Sequence, residues 1–304
     1  MIYTLTFNPA LDYVMRLPVL HEGETNRATS ADVQFGGKGI NVSLVLSELG
    51  VESTALGFVA GFTGAALASH LADRRVKTDF IPLPEGLTRI NVKLKTPEGD
   101  HPETEINASG PAIPADCVEA LYDQLDGLTA GDTLVLAGSI PPSLPRDTYR
   151  RVMERLGGRG IRFAVDAEGA LLTETLPYHP FLVKPNRAEL EGIAGRPLPT
   201  EEDLLAAATN LQERGAQNVL VSLGGDGAIL LAEDKNIHRG SALPILPVNT
   251  VGAGDSAVAG FLAGVDNGYA YALRLAMACG GATAASEGLA TRESIERMMG
   301  EIEG

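Results

Sequence analysis

Apolar runs too short to be helices alternate with longer helix-periodic segments along most of this chain, and that rhythm limits its architecture more than any other feature. DCVEALYDQL, TLVLAGS, PRDTYRRVMERL, IRFAVDA and PFLVKPN read in turn as helix, strand, helix, strand and strand. Strands joined through helices run parallel, and a parallel sheet needs cover on both faces. The expected fold class is therefore α/β, three layers (α/β/α) around a mostly parallel central sheet. Two stretches break the rhythm. From Tyr13 to Gln34 the chain offers only short alternating pieces, and after Leu87 it reads TRINVKLKT, a polar turn PEGDHPE and TEIN. These patches, about residues 10–34 and 82–110, are expected to pair into one small sheet that projects as a lid from a single domain spanning residues 1–304.

Composition narrows the function. A 44% hydrophobic, 21% charged chain of 304 residues has enough apolar side chains for a sizeable core. Its formal net charge of −15 repels nucleic acid and anionic membrane surfaces, so any phosphate site must be a local basic pocket. Cys117 and Cys279 sit in helix-like apolar segments without metal-ligand spacing, which fits core thiols in a cytoplasmic protein. MIYTLTFNPALD reads as a first strand rather than a signal peptide, and the apolar C-terminal region is too short and too interrupted to span a bilayer.

Phosphate-type features gather after the strands, where open α/β sheets bind ligands. Near the C-terminus NTVGAGDS, Asn249 to Ser256, runs into the apolar segment AVAGFLAG. Gly252, Ala253 and Gly254 let successive N–H groups face one space, and the helix that follows begins with unpaired amides and a partial positive charge. Asp255 has two readings there: an N-cap, or a carboxylate kept ionised by the helix mouth and able to take a proton from a hydroxyl. Gly36-Gly37-Lys38-Gly39, with Asn41 behind it, opens another helix; it lacks the GxxxxGKS/T spacing of a Walker loop. Lys184-Pro185-Asn186, with Glu189, combines a strand-end cation with a good helix start; Glu189 could also hold Mg²⁺ through water. The glycines of Ser222 to Gly227 suit a tight hairpin turn or close approach of a nucleotide. Alternation puts Arg89, Asn91, Lys93 and Lys95 on one face of the second patch. That face, with Arg27 on the first patch, is either solvated or a clamp for a phosphate. No serine-nucleophile elbow, histidine metal spacing or dinucleotide glycine fingerprint is present.

Together, GGKGIN at Gly36–Asn41 and TVGAGDS at Thr250–Ser256 resemble the paired signatures of the PfkB, or ribokinase-like, carbohydrate kinases, and the likeness covers the whole chain. TLTFNPALDYV, TRINVKLK, TEIN, LAGSIP and KPNRAEL are most similar to the branch that phosphorylates fructose 1-phosphate, with the tagatose-6-phosphate kinases close to it. The resemblance implies a ribokinase-like fold and ATP-dependent phosphorylation of the 6-hydroxyl of fructose 1-phosphate, with Mg²⁺ and a possible monovalent cation. Tagatose 6-phosphate, fructose 6-phosphate and a non-catalytic sugar-phosphate sensor are the alternatives. It implies further that Asp255 is the base and that Gly252, Ala253 and Gly254 form the anion hole. Asp12, Gly37, Lys38 and Asn41 would hold the sugar, and Arg89, Arg27 and Ser139 its phosphate. Lys184, Ser222, Gly224, Gly227, Thr250, Val251, Gly252 and Gly254 would meet ATP, and Asn186 and Glu189 the Mg²⁺. Dimers through the lid sheets are also implied.

Overall fold

The computed structural model describes residues 1–98, 101, 103–241 and 245–303. Its first half contains β1 (Ile2–Thr6), β2 (Ala10–Arg16), β3 (Ser30–Gly36), α1 (Lys38–Glu48), β4 (Ser53–Val59), α2 (Gly61–Asp73), β5 (Lys77–Pro82), β6 (Arg89–Lys95), β7 (Glu103–Ile106), α3 (Ala115–Asp126), β8 (Thr133–Ala137) and α4 (Thr148–Leu156). Then follow β9 (Arg162–Asp166), α5 (Ala170–Thr173), β10 (Leu182–Val183), α6 (Arg187–Ala194), α7 (Glu201–Glu213), β11 (Asn218–Ser222), β12 (Ala228–Leu231), β13 (Ile237–Gly240), α8 (Ala253–Gly264), α9 (Tyr269–Ala284) and α10 (Arg292–Glu303).

Nine strands form the large sheet in the order β13-β12-β11-β10-β9-β8-β1-β4-β5. The pairings are parallel except for the two made by β12, which returns from β11 through the exposed glycine turn. The period of two in the strands sorts side chains between two cores. Leu134 and Leu136 of β8 face one core and Val135 and Ala137 the other; on β11 Val219 and Val221 oppose Leu220 in the same way. Helices α3, α4, α6 and α7 close the first core, and α1, α8, α9 and α10 the second. This is the three-layer arrangement expected from the alternation of strands and helices.

The two helix-free patches make a separate four-stranded sheet in the order β3-β2-β6-β7. Its hairpins, β2–β3 and β6–β7, are antiparallel, and β2 pairs β6 in parallel because the chain passes through β4, α2 and β5 between them. Residues 99, 100 and 102 of the polar PEGDHPE turn lie outside the described residues. Leu11 of β2 packs with Ile40 and Leu44 of α1 and Leu67 and Leu71 of α2, anchoring the base of the small sheet to the large one. One close backbone approach lies between β1 and β4. At Gly57 of β4, with φ +144°, a Cβ would lie 2.1 Å from the Thr6 carbonyl oxygen of β1, so only glycine lets the backbones approach this closely.

Candidate active site

Between the C-terminal ends of the parallel strands and the inner face of the small sheet lies a cavity of about 1000 Å³. The chain reverses direction across the large sheet at β1, with β4 on one side and β8 on the other, and such switch points leave a crevice at the strand ends. Ser139 follows β8, Asp166 ends β9, Lys184 follows β10 and Ser222 ends β11, and all four line the cavity.

Its floor is a group of buried charges. Asp166 is 1% exposed, and its Oδ1 lies 3.5 Å from Lys38 Nζ and 3.5 Å from Lys184 Nζ. Asp166 Oδ2 is buried without a hydrogen-bond partner among the described residues. Burial opposes the ionised form, but the two lysines outweigh it and hold the Asp166 carboxyl below its usual range. Lys38 is likewise disfavoured by burial and raised overall by Asp166, Asp255, Glu189 and Glu168. Lys184 is almost fully buried, and its ammonium rests on the first turn of α8. A Cβ on Gly254 would lie 2.9 Å from Lys184 Nζ, so a side chain here would push the ammonium from this place.

Helix α8 is capped by Gly252 at φ +81°, a left-handed conformation that a side chain would disfavour. The N-cap reading of Asp255 is therefore corrected: Asp255 is the third residue of the helix, 5% exposed, with its side chain turned into the cavity wall. Asn41 of α1 donates to Asp255 Oδ2 at 2.7 Å. The Ala253 N–H is engaged by the Thr250 carbonyl at 3.2 Å, while the N–H groups of Gly254 and Asp255 have no partner among the described residues. Expected to stay ionised by the helix end, Asp255 is instead pushed up to about 7. Burial is the main cause and the like charge of Asp166 adds to it, against the Asn41 bond and the two lysines. Two carboxylates in one site are thus driven in opposite directions, a pattern that separates a permanent anion from a group able to exchange a proton near neutrality.

The roof comes from the small sheet. Asp12, Arg89, Asn91 and Lys93 line the cavity, but the basic face expected there is largely neutralised. Lys93 pairs with Asp12 at 3.0 Å and Glu105 at 3.3 Å, and Lys95 lies 3.9 Å from Glu103. Arg89 donates to the carbonyls of Asn8 at 3.2 Å and Ala108 at 3.3 Å, which fixes its guanidinium at the cavity edge. Arg27 is exposed in the loop between β2 and β3 and does not line the cavity, so the structure does not bring it to Arg89 and Ser139.

On the side of Ser222, Asn186 and Glu189 form a reciprocal capping box at the start of α6. Glu189 N–H donates to Asn186 Oδ1 and Asn186 N–H to Glu189 Oε2, both at 2.8 Å. Gly37 and Val251 line the cavity, whereas Gly224, Gly227, Thr250 and Ala253 lie outside its lining: the first two in the β11–β12 turn, Thr250 before the α8 cap and Ala253 in the helix's first turn. Asp166 escaped the sequence reading. Its one signal is an acid ending an otherwise apolar buried strand, IRFAVD.

Cations, free helix amides and a proton-exchanging carboxylate around one cavity suit transfer of an anionic group to a hydroxyl. A family model described as pfkB family carbohydrate kinase matches residues 5–296. The chain belongs to the PfkB family of carbohydrate kinases. It is 42% identical to 1-phosphofructokinase of Bacillus subtilis (strain 168), across 99% of this chain and 98% of that protein. It is 34% identical to D-tagatose-1-phosphate kinase of Bacillus licheniformis, across 100% and 99%. Among solved structures, phosphofructokinase-2 from Escherichia coli in complex with substrates and products superposes with a TM-score of 0.92 at 29% identity, covering 100% of this chain and 99% of that one.

The opposed shifts in this kinase make opposite contributions to stability. Asp255 is raised on folding from 3.8 to about 7, so the folded protein keeps a proton that the unfolded chain has released, and stability from this group is lost as pH rises through that window. Asp166 is lowered, so its contribution is present above the ordinary carboxyl range and lost as pH falls. Thermal melting at pH 8 is expected to place Asp255→Asn above the wild type and Asp166→Asn below it. The Asp255→Asn advantage should shrink at pH 5; an advantage that is equal at both pH values contradicts the raised carboxyl.

Proposed function

We propose that this kinase transfers the γ-phosphoryl group of ATP to the 6-hydroxyl of D-fructose 1-phosphate, giving fructose 1,6-bisphosphate and ADP. The observation that carries the reading is Asp255, a buried carboxylate held by Asn41 beside two α8 amides that have no partner among the described residues. In this scheme Asp255 accepts the O6 proton as the oxygen attacks. The Gly254 and Asp255 amides, in the turn set by Gly252 and Ala253, face the transferring phosphoryl oxygens with Lys184, where fixed donors stabilise developing charge. Asp12, Gly37, Lys38 and Asn41 hold the sugar, and Arg89 and Ser139 its phosphate. ATP extends past Ser222 toward Gly224 and Gly227 on one side and Thr250 and Val251 on the other. The whole chain acts as one kinase domain, with residues 10–34 and 82–110 as the lid that keeps water from the phosphoryl group.

The substrate is argued from the 42% identical relative, which is named 1-phosphofructokinase. A second reading rests on the relative named for D-tagatose 1-phosphate. Mg²⁺ fits the donors present: Asp166 Oδ2 is buried and has no partner among the described residues, and Glu189 is held by its capping box with one oxygen outside it. Bound with the nucleotide, Mg²⁺ would neutralise phosphate charge, held through its waters by Asp166 and by Glu189 as fixed by Asn186. A monovalent cation is a further expected ligand, since the Escherichia coli relative has also been crystallised with potassium. Both cysteines are free and buried, which suits a cytoplasmic enzyme.

A homodimer through the lid sheets is supported by an apolar row on the small sheet. Val33, Tyr13, Val92 and Ile106 stand in one cross-strand row over its four strands, and Val33 and Ile106 are 46% and 59% exposed. Four apolar side chains in a row, with Val33, Tyr13 and Ile106 exposed, suit a like row on a second copy.

Three experiments test the proposal. A substrate panel of fructose 1-phosphate, tagatose 1-phosphate, tagatose 6-phosphate and fructose 6-phosphate is expected to give the highest kcat/KM for the first, and preference for another overturns the substrate. On the preferred substrate Asp255→Asn is expected to lose about 10²-fold or more in kcat while still binding ATP; near-normal turnover rejects Asp255 as base. For the assembly, light scattering should give the mass of a dimer for the wild type and of a monomer for Val33→Asp. A monomeric wild type excludes the dimer, and a dimeric variant excludes this face.

A further inference from the structure

Lys93 is a buried cation in a sheet only one layer thick, where a lysine could readily reach water. It is 6% exposed, and its ammonium sits between Asp12 Oδ2 at 3.0 Å and Glu105 Oε1 at 3.3 Å. The other oxygen of the same carboxylate, Asp12 Oδ1, accepts from Asn91 Nδ2 at 2.8 Å. Both donors come from β6. The parallel register sets Asn91 directly opposite Asp12 and places Lys93 two residues further along the same face. The donors are themselves held: the Ala108 N–H donates to Asn91 Oδ1 at 3.2 Å, and Glu105 of β7 holds Lys93 from the far side.

A buried ion pair is a poor source of stability, because desolvation offsets most of its attraction. What such an arrangement does supply is orientation. A carboxylate accepts about four hydrogen bonds, and two of those of Asp12 are taken on the β6 side. The rest are available at the cavity, which Asp12 lines. We infer that Lys93 and Asn91 are positioning residues that act through Asp12. They clamp one oxygen each, so that the remaining acceptor sites meet neighbouring hydroxyls of the ketose and set its affinity. The inference rests on the reading of Asp12 as a sugar-binding residue. It also gives Lys93 a role different from a phosphate clamp, since its charge is directed at carboxylates within the sheet.

A double-mutant cycle separates these roles. KM for the sugar phosphate, KM for ATP and kcat are measured for the wild type, Lys93→Met, Asp12→Asn and the double variant; KM is independent of the fraction of enzyme that folds. Lys93→Met and Asp12→Asn are each expected to raise the sugar KM about 10-fold or more, with the ATP KM within about 2-fold of wild type. The double variant should be no worse than Asp12→Asn alone, because Lys93 acts through a carboxylate that is no longer there. Additive losses mean that Lys93 meets the substrate itself and overturn the inference, as does an unchanged sugar KM in Lys93→Met. The same cycle with Asn91→Ala keeps the test open if Lys93→Met does not fold. Lack of wild-type turnover on every ketose phosphate removes the proposed function and the inference together, whereas an active wild type with an additive cycle removes the inference alone.

Discussion

Everything at this site depends on Lys38 and Lys184 sharing the buried carboxylate of Asp166. Ammonium groups brought together in a cavity repel one another, and each loses hydration there. A single anion 3.5 Å from both makes the group tenable, and it is anchored at the end of a central strand. The same anion then acts on Asp255. Its like charge joins burial in raising that carboxyl, against the two lysines it retains. One strand-end residue therefore holds the cations and adds to what burial does to the proton affinity of the carboxylate beside them.

The backbone makes this crowding possible. Parallel strands end together at one edge of the sheet, so residues far apart in sequence arrive in one crevice. Glycine appears where a side chain would fill the space that chemistry needs: Gly254 leaves room for the Lys184 ammonium, and Gly252 takes the left-handed turn that starts α8, where two amides have no partner among the described residues. The small sheet completes the enclosure with side chains that are mostly paired among themselves. Its contribution at the cavity is a set of oriented hydrogen-bonding groups more than a field of positive charge.

The sequence was most informative where structure is locally encoded. Strand and helix rhythm, the two glycine turns, the capping box at Asn186 and Glu189, and the helix-free patches each depend on a few adjacent residues, and each was readable. What depends on long-range pairing was not. Asp166 looks like any acid at the end of a strand until the parallel sheet brings Lys38 and Lys184 to it. Burial of Asp255 needs α1, because its hydrogen-bond partner Asn41 comes from there. Alternation placed Lys93 on the correct face, yet its charge partners come from β2 and β7, and the β2 pairing crosses the intervening β4, α2 and β5. Arg27 shows the same limit from the other side, since a basic residue in a loop between strands carries no sign of whether the loop turns toward the cavity.

The central claim is that burial and the Asp166 charge together poise Asp255 as a proton acceptor near neutrality. Carbon-detected NMR titration of the Asp255 carboxyl, in the wild type and in Asp166→Asn, measures this directly. The account predicts a midpoint of about 7 in the wild type and a clearly lower one in the variant, where the like charge is gone and the lysines face Asp255 unopposed. A wild-type midpoint in the ordinary carboxyl range, near 4, or a midpoint unmoved by Asp166→Asn, would contradict it.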